Sequence, residues 1–594
     1  MSFAVAKNNE ASVTISTLLT ENERVKQFGF TETELERTKE EILSDYEKSF
    51  NERNKKESQS YMWEYFSHFL NMEPTPGIEW EFESVKALLP GITLDEINRL
   101  TKTWVRNENR VVAVMAPEKE DAKIPDEAEI MKIIADVASS KIEAYIDKVS
   151  DKPLIGEMPD HVKVGKKKTN KNLGYTEWIL KNGVKVILKP TEFKDDEVRF
   201  SAFSVGGNSK YEVKDYISAE LTTDVIESSG LSEFDQIELD KKLSGKVVSV
   251  SPFISELQEG FNGRSSKADF ESMLQLIYLY FTKPRVDEKA FSSLISRYKG
   301  VMENKAADPR SAFSDTVTVT LNQYSPYKRP WSVEILEEAK FKKIDYIFKD
   351  RFGDPSNFTF FFVGNINLKE AKPLIEKYLG ALPVVNRNES WKDLNIRPPQ
   401  GIVKKRFYRK MEVPKSTNYV AYTGNYEYTA KNRILLDMIA DILDIRYTES
   451  IREEQSGTYG VGVWVRQSKY PYQGYKLNIR FDCDPANTDK LMAIVYEEID
   501  KIRKEGPLQK DLHNTIENKL KERAEDIEEN SFWLRTLKNM YYHGEMIEDI
   551  NAYNEIVKGI TAEDIKKAIN DFLKADNYIE IIMMPEKVVE EAVE

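Results

Sequence analysis

Two patterns of apolar positions recur along this chain, one with the spacing of amphipathic helices and one with the alternation of half-buried strands. Apolar residues at helical spacing predict a helix across residues 434–443. Alternating runs predict strands at 418–423, 459–465 and 475–481. An Asn-Gly pair at 182–183 between two alternating runs predicts a β-hairpin, because both turn residues need positive φ. These elements predict an α+β fold in which helices pack on a largely antiparallel sheet.

The end of the chain repeats its beginning. Residues 91–119 begin with Gly-Ile-Thr and end with Pro-Glu-Lys, and residues 559–587 do the same with no gap between start and stop. Upstream of these, residues 29–40 and 506–517 share Gly, Leu, Thr and Glu at the same spacing. A third, weaker copy ends at 358–365, where a helical stretch leads into a buried strand. Matches of this length predict that one fold is present in more than one copy.

Composition narrows the possible functions. With 594 residues, of which 40% are hydrophobic, the chain can bury several cores of ordinary domain size. The formal net charge of −14 argues against a nucleic-acid partner, which would require a concentrated basic surface. No apolar run reaches the roughly 18 residues that a membrane span requires. Because Cys483 is the single cysteine, no internal disulfide can form.

The order of the elements predicts how the first part of the chain is built. Residues 1–120 are expected to contain a strand at 11–17, a long amphipathic helix at 32–71, and then the helix and strand of the repeat. The segment 121–172 has the Pro, Lys and Asn content of a linker between lobes. Since the chain enters its first predicted strand abruptly, we expect it to be a fragment of a longer protein.

Several motifs resemble the pitrilysin/insulinase family of inverted-motif zinc metallopeptidases. The resemblance implies repeated LuxS/metallopeptidase-like α+β domains, four in the family, arranged in two halves that close around a peptide. The motifs that carry it are the 178–188 hairpin with Lys189-Pro190-Thr191, Gly206-Gly207, Ser325-Pro326-Tyr327, Val363-Gly364-Asn365, Ile451-Arg452-Glu453-Glu454 and Thr458-Tyr459-Gly460.

The same resemblance assigns the parts of the chain to family domains. Residues 1–120 are expected to be the rear of the second domain, and 121–172 the inter-lobe linker. Residues 173–395 are expected to be an inactive third domain, and 396–594 an inactive fourth domain with a substrate-binding Arg/Tyr pair. The first domain, which binds zinc in the family, is expected to be missing.

The resemblance also implies where zinc should be. In the family, two histidines of a His-x-x-Glu-His helix and a downstream glutamate hold the ion, and the motif glutamate activates the bound water. In the third domain the motif position reads approximately Leu-Thr-Thr-Asp-Val at 221–225, and neither Leu nor Val can bind zinc. The chain has four histidines, and none is paired in the motif spacing: His68, His161, His513 and His543.

One pair of residues has a spacing that metal sites use. His513 and Glu517 stand at i and i+4 of a predicted helix, which is half a metal site, but a solvated helix face is the favoured interpretation because no third ligand is indicated. We therefore expect no catalytic residue, no metal ligand and no bound cofactor in this chain. Zinc is expected in the missing N-terminal domain.

Arg452 and Tyr459 are the candidate functional residues. A helix is predicted to end near Arg452 and a strand to begin at Tyr459, so both side chains can reach one mouth of the sheet. An Arg and a Tyr hydroxyl can donate hydrogen bonds to an oxyanion and to peptide carbonyls. On spacing alone, an Arg at a helix C-terminus and a Tyr packed in a strand is the simpler interpretation. The resemblance favours substrate binding, because an Arg and a Tyr at this position reach the peptide in the family.

Two functions remain open. The chain is either the C-terminal, substrate-binding part of a zinc-dependent metalloendopeptidase, or a stand-alone, non-catalytic partner subunit of a peptidase complex. In the first case its partners are peptide substrates and the missing N-terminal catalytic domain. The abrupt start favours the first, because a natural subunit would carry a complete domain. The parent protein is expected in the bacterial periplasm or cell envelope.

Overall fold

The structure is a computed structural model that describes all but a few short segments of the chain. Contacts between its residues divide the chain into two compact units. The first unit comprises Met1–Val205, Ile217–Asn304 and Leu336–Glu389, and the second comprises Gly206–Tyr216, Lys305–Ile335 and Ser390–Glu594. The described residues are 1–7, 9–106, 108–116, 123–305, 308–453 and 460–586.

Helices make up most of the regular structure. In the first half of the chain they are α1 (Ala11–Phe28), α2 (Glu32–Asn51), α3 (Ser58–Asn71), α4 (Ile78–Leu88), α5 (Leu94–Trp104), α6 (Glu127–Ser139), α7 (Val213–Ser229), α8 (Gln236–Leu243), α9 (Phe270–Thr282) and α10 (Glu288–Lys305). In the second half they are α11 (Pro309–Leu321), α12 (Val333–Leu336), α13 (Phe341–Phe352), α14 (Leu368–Tyr378), α15 (Ala430–Tyr447), α16 (Thr488–Glu505), α17 (Gln509–Asp526), α18 (Asn530–His543), α19 (Ile547–Asn551), α20 (Tyr553–Lys558) and α21 (Ala562–Phe572). In the described residues, no helix is both long enough and apolar enough to cross a membrane.

Each unit contains one mixed sheet. The first sheet has the strand order β1-β2-β3-β7-β4-β6-β5, and the second has the order β10-β11-β9-β12-β8. The strands are β1 (Val164–Asn170), β2 (Tyr175–Leu180), β3 (Lys185–Pro190), β4 (Val198–Val205), β5 (Val248–Ile254), β6 (Gln258–Ser265), β7 (Thr359–Gly364), β8 (Ile402–Arg409), β9 (Ser416–Asn425), β10 (Val461–Ser468), β11 (Gly474–Cys483) and β12 (Tyr578–Pro585).

The two sheets share one topology. In the first, β3 and β7 are parallel and the other neighbours are antiparallel. In the second, β8 and β12 are the parallel pair, and β9, β11 and β10 follow as antiparallel neighbours. Strands β3, β7, β4, β6 and β5 therefore correspond in order to β8, β12, β9, β11 and β10. The predicted α+β class and the duplication of one fold are both confirmed.

The sequence repeat extends to the helices of the first unit. Helices α5 and α21 each have 11 residues and begin with the same capping box, made by Thr93 with Glu96 and by Thr561 with Asp564. In each box the threonine hydroxyl and the acidic side chain satisfy backbone N–H groups that the first helical turn leaves without partners. The structural correspondence predicted from the repeat of 91–119 in 559–587 is therefore confirmed for the helices α5 and α21. The ends of both ranges, 117–119 and 587, lie outside the described residues.

Three predictions about the N-terminal part were wrong. Residues 11–17 lie in helix α1 and not in a strand. The long helix expected at 32–71 is two helices, α2 and α3, separated at residues 52–57. Residues 110–116, which match strand β12 in sequence, form no strand in the described part of the chain. Strand formation requires neighbouring strands, and local sequence does not show whether they are present.

The sheets and their helices bury the main cores. In the first unit, phenylalanines of β4 and β7 stack across the sheet, with the Phe200 and Phe362 rings 5.0 Å apart. In the second unit, α15 buries Leu435, Met438 and Leu443 against the sheet, as the helical spacing predicted. The core of the second unit includes Tyr447 at the end of α15 and Ile451 just beyond it, so it holds this end of the helix in place.

Candidate functional site

Arg452 lies in the helical turn that directly follows α15. After Tyr447 the chain continues as a π-helical turn, Thr448–Glu453, which contains Arg452. Single π turns are uncommon and are often found at functional sites. The Arg452 side chain is exposed, and it makes no ion pair in the part of the chain that the structure describes. Arg452 therefore lies in a helical stretch as predicted, and the residues that would show its end, 454–459, lie outside the described residues.

Tyr459 lies outside the described residues. The structure continues at Gly460, and β10 begins at Val461. The prediction that the two side chains share one mouth of the sheet therefore stays a prediction.

Arg446 fixes the base of the π-helical turn. Its Nε donates a hydrogen bond to Glu498 Oε2 at 2.9 Å, and its Nη1 donates one to Glu449 Oε2 at 2.7 Å. The Glu498 side chain is only 3% exposed, so water screens this ion pair less than a surface pair. Ser450 Oγ donates to the Arg446 carbonyl at 2.8 Å, and Ile451 is fully buried. The turn is therefore held by charge, by a side-chain hydrogen bond and by the core.

A second carboxyl group, Asp511 on α17, faces the same guanidinium. Its Oδ2 lies 3.9 Å from Arg446 Nη1, which is too long for a hydrogen bond. The Asp511 side chain is completely buried, and neither oxygen has a hydrogen-bond partner within the described structure. Burial disfavours the charged carboxylate and raises the pKa of Asp511 above its ordinary value. Arg446 is thus bonded to Glu498 and Glu449 and has Asp511 close by.

Sequence reasoning missed this charged cluster. Only the i,i+3 spacing of Arg446 and Glu449 is visible along the chain, and such pairs are common on solvated helices. Glu498 and Asp511 come from two later helices, so their approach to Arg446 depends on the packing of α15, α16 and α17.

The third domain's motif position lies on α7 and does not fit a zinc ion. Leu221 and Val225 are 1% and 0% exposed, and their side chains have no atom that could bind a metal. Between them, Asp224 accepts a hydrogen bond from Tyr298 Oη at 2.7 Å. Burial and this hydrogen bond raise the pKa of Tyr298 to about 12. The residues of this helix therefore pack and hydrogen-bond within the unit.

The histidines are scattered through the described structure. His513 and Glu517 are both exposed on α17, which is the solvated face that the sequence favoured. His161 is exposed, and His68 Nδ1 lies 2.7 Å from the Glu73 carbonyl oxygen. Among the described residues, no group of three or more His, Cys, Asp and Glu side chains is arranged to hold a metal ion.

His543 is half-buried among aromatic rings. Its ring centroid lies 5.2 Å from that of Tyr428 and 5.8 Å from that of Tyr470. Burial, and then the positive charges of Lys469 and Arg433, lower its pKa to about 4. The neutral imidazole is therefore the form that the native structure stabilises.

We expect the stability of the protein to depend on pH through His543. Because its folded pKa lies below the ordinary 6.5, its contribution to stability is complete above pH 6.5 and falls as the pH drops toward 4. The slope is at most about 1.4 kcal/mol per pH unit. Melting curves at pH 8 and pH 5 should show a smaller loss for His543→Gln than for the wild type. The exposed His513→Gln should keep the wild-type loss, and equal losses in all three proteins would contradict the assignment.

Comparison with known proteins shows what this fold is similar to. Residues 347–519 match the family model described as the peptidase M16 inactive domain. The zinc protease PQQL-like of Arabidopsis thaliana is 26% identical over 598 residues, which cover 95% of this chain and 59% of that protein. The probable zinc protease PqqL of Escherichia coli (strain K12) is 22% identical over 582 residues, which cover 96% of this chain and 61% of that protein.

Solved structures show the same fold. The periplasmic protease PqqL from Escherichia coli aligns over 98% of this chain and 64% of its own, with a TM-score of 0.66 and 18% identity. The ferredoxin protease FusC, solved as an E83A mutant in complex with Arabidopsis ferredoxin, aligns over the same shares with a TM-score of 0.71 and 15% identity.

These comparisons confirm the family that the motifs predicted. The chain is similar to the M16 peptidases, the pitrilysin/insulinase family, and its residues 347–519 match the inactive domain of that family. Its relatives carry the name of zinc proteases. The chain spans about three fifths of the length of these two curated relatives.

Proposed function

We propose that this chain is the substrate-binding part of a zinc-dependent metalloendopeptidase, and that Arg452 and Tyr459 contact the peptide. The zinc is held by a separate catalytic domain with a His-x-x-Glu-His motif, and that domain is the main partner of this chain. The parts of the chain are the rear of a second family domain (1–120), a linker (121–172), a third domain (173–395) and a fourth domain (396–594).

The exposed Arg452 guanidinium on an anchored turn is the observation that carries this proposal. An arginine that has no carboxylate partner in the described structure is free to bind peptide carbonyls or a developing oxyanion. The ion pairs of Arg446 limit the motion of the turn, which lowers the entropy that Arg452 loses when it binds a peptide. An exposed guanidinium and an anchored turn are both expected of a residue that binds a ligand, and neither is needed for an arginine that only keeps the surface soluble.

Similarity to this family supports the rest of the proposal. The relatives are named zinc proteases, whereas α7 offers Leu221 and Val225 where a zinc helix needs histidines. A division of labour between a zinc domain and this chain accounts for both facts. The solved Escherichia coli relative is described as periplasmic, and we propose the same compartment for this protein.

Peptide binding by the purified chain tests the role of Arg452. A fluorescent, unstructured peptide of about 25 residues should bind, and Arg452→Ala should weaken the binding by about tenfold or more, because a charged hydrogen bond contributes about 1.5–3 kcal/mol. Arg409→Ala is the matched control, since Arg409 is also exposed but lies on β8, at the other edge of the sheet from β10. Equal affinities for all three proteins would remove Arg452 from the site.

We also expect the chain alone neither to bind zinc stoichiometrically nor to cleave peptides. A catalytic zinc site needs three side-chain ligands and a general base, and the motif position on α7 lacks donor atoms. Elemental analysis after dialysis and a peptidase assay on the same peptide check this. One tightly bound zinc per chain together with chelator-sensitive turnover would contradict it.

A further inference from the structure

The middle strand is in the same place in both sheets. In the second sheet, β9 lies between β11 and β12 and is antiparallel to both. In the first sheet, β4 lies between β6 and β7 and is likewise antiparallel to both. Both middle strands are buried on both faces over most of their length. A complete copy of this fold therefore has one buried strand between its last strand and the strand that precedes its later helix, which is β11 before α16 and β6 before α9.

The beginning of the chain corresponds to the strand before that helix. Helices α1 and α16 both have 18 residues, and each ends at a glycine with positive φ, Gly29 at 72° and Gly506 at 83°. Counted from these helices, residues 1–6 fall at the positions of 478–483, which are the second half of β11.

Residues 110–116 correspond to the last strand. They follow α5 at the spacing at which residues 578–584 of β12 follow α21. The environments of the two segments differ completely. In β12, Ile579 and Met583 are 0% and 1% exposed, whereas their counterparts Val111 and Met115 are 91% and 95% exposed.

The backbones of the two N-terminal segments are also unpaired. Residues 1–6 and 110–116 make no backbone–backbone hydrogen bond with any described part of the chain. Both segments line one groove of about 1500 Å3, together with apolar side chains that include Ile15 and Leu18 of α1 and Ile134 of α6. The groove therefore presents two unpaired strand-forming segments beside an apolar wall.

We propose that this groove is the docking surface for one β-strand of the zinc-binding domain, which inserts between residues 1–6 and 110–116 and pairs antiparallel with both. The inference rests on the proposed function, because that function assigns zinc to a separate domain. The occupant takes the place that β9 and β4 take in the two complete sheets. Strand addition supplies main-chain hydrogen bonds on both sides of the inserted strand.

The register of the second sheet describes the strand that fits. There, Val420 of β9 lies opposite Ile479 on one side and Glu580 on the other. The corresponding neighbours in the groove are Ser2 and Val112. Because β4 and β9 have 8 and 10 residues and are buried on both faces, the inserted strand should be of similar length, apolar on both faces and free of proline.

Hydrogen–deuterium exchange on the full chain tests the proposal. The chain is measured alone and after co-expression with the zinc-binding domain that carries the His-x-x-Glu-His motif, produced as a second polypeptide. Amides at 3–6 and 110–116 should exchange rapidly in the chain alone and should be protected by about a hundredfold or more in the complex. Failure of the two polypeptides to co-purify overturns the proposal, and so does a complex in which these amides stay unprotected.

A proline substitution tests the pairing itself. Val112→Pro removes one N–H from the proposed strand and should abolish co-purification, but it should leave the melting temperature of the chain alone unchanged because residue 112 makes no backbone hydrogen bond there. Val413→Pro is the control, since Val413 is 74% exposed in a loop. Wild-type assembly by Val112→Pro overturns the proposal.

Other results separate this inference from the proposed function. A complex that cleaves peptides with zinc but leaves 110–116 unprotected refutes the docking surface and keeps the function. Protection of 110–116 in a complex whose peptide binding ignores Arg452→Ala keeps the docking surface and refutes the function. Protection that arises only when the chain dimerises, or only when the fluorescent peptide is added, shows a different occupant and overturns the proposal.

Discussion

Arg452→Ala and Tyr459→Phe should each lower the turnover of the enzyme reassembled with its zinc domain by roughly ten- to a thousand-fold. Folding should be unaffected, because Arg452 is exposed and has no ion pair in the described structure, and Tyr459→Phe removes only a hydroxyl. A donor that binds the transition state more strongly than the substrate affects kcat, which we expect for Tyr459. A donor that also binds the peptide backbone affects KM as well, which we expect for Arg452.

Steady-state kinetics and melting curves on the same preparations check both variants. Arg409→Ala serves again as the control and should behave as the wild type. A merely structural pair would give a different result, with melting temperatures several degrees lower and activity that follows stability. Wild-type kcat and KM in both variants would remove the functional assignment, whatever the melting curves show.

Sequence signals from a few neighbouring residues were sufficient to predict turns and the buried faces of helices, because these features depend on neighbouring residues. The Asn182-Gly183 pair predicted the turn between β2 and β3, although only Gly183, with a φ of 92°, has the positive φ expected of both residues. The buried face of α15 was also predicted, since helical spacing is a property of a few neighbouring residues.

Residues 11–17 show where local signals mislead. Val13, Thr14 and Ile15 are β-branched and favour a strand, but the segment is the first part of α1, the counterpart of α16. Helix α1 lines the apolar groove with Ile15 and packs against α6. The alignment of the repeat, extended farther toward the N-terminus, would have identified the helix. Tertiary context outweighed propensity here.

The candidate site was predictable only in part. The helical stretch that contains Arg452 could be read from the spacing of apolar residues and from the family motif. The π-helical turn and the contacts of Arg446 could not, because Glu498 and Asp511 reach it from separate helices. Buried ion pairs between distant segments leave no periodic signal in a single sequence.

Asp147→Ala should cause the largest loss of stability among the substitutions considered. The side chain is 2% exposed, although it lies in the segment expected to be a linker. Arg37 Nη1 of α2 lies 2.6 Å from one carboxylate oxygen, and Lys241 Nζ of α8 lies 2.7 Å from the other. Removing this carboxylate leaves the positive charges of Arg37 and Lys241 close together and poorly hydrated, which lowers the free energy of unfolding by about 3–5 kcal/mol. For a domain of more than about 150 residues, this corresponds to a decrease in melting temperature on the order of 5–15 °C.

The pH dependence identifies the cause of that loss. Although burial opposes ionisation, hydrogen bonds from Arg37, Lys241 and Thr33 hold the pKa of Asp147 well below its ordinary 3.8. A carboxyl with a lowered folded pKa contributes stability that is complete above its ordinary pKa and is lost as the pH falls below it. The difference between wild type and Asp147→Ala should therefore be constant from pH 5 to 7 and should shrink below about pH 4.

A nearby exposed ion pair provides the control. Asp136 on α6 is bonded to Lys132 at 2.9 Å, and both side chains are more than half exposed. Asp136→Asn should therefore change the free energy of unfolding by less than about 0.5 kcal/mol at any of these pH values.

Limited proteolysis should cut the wild type first between residues 119 and 171, and Asp147→Ala should speed that cut because it frees the segment from α2 and α8. Equal melting temperatures for Asp147→Ala and Asp136→Asn would mean that this buried carboxylate does not hold the segment in place, and that packing around Val137 and Ile142 is sufficient.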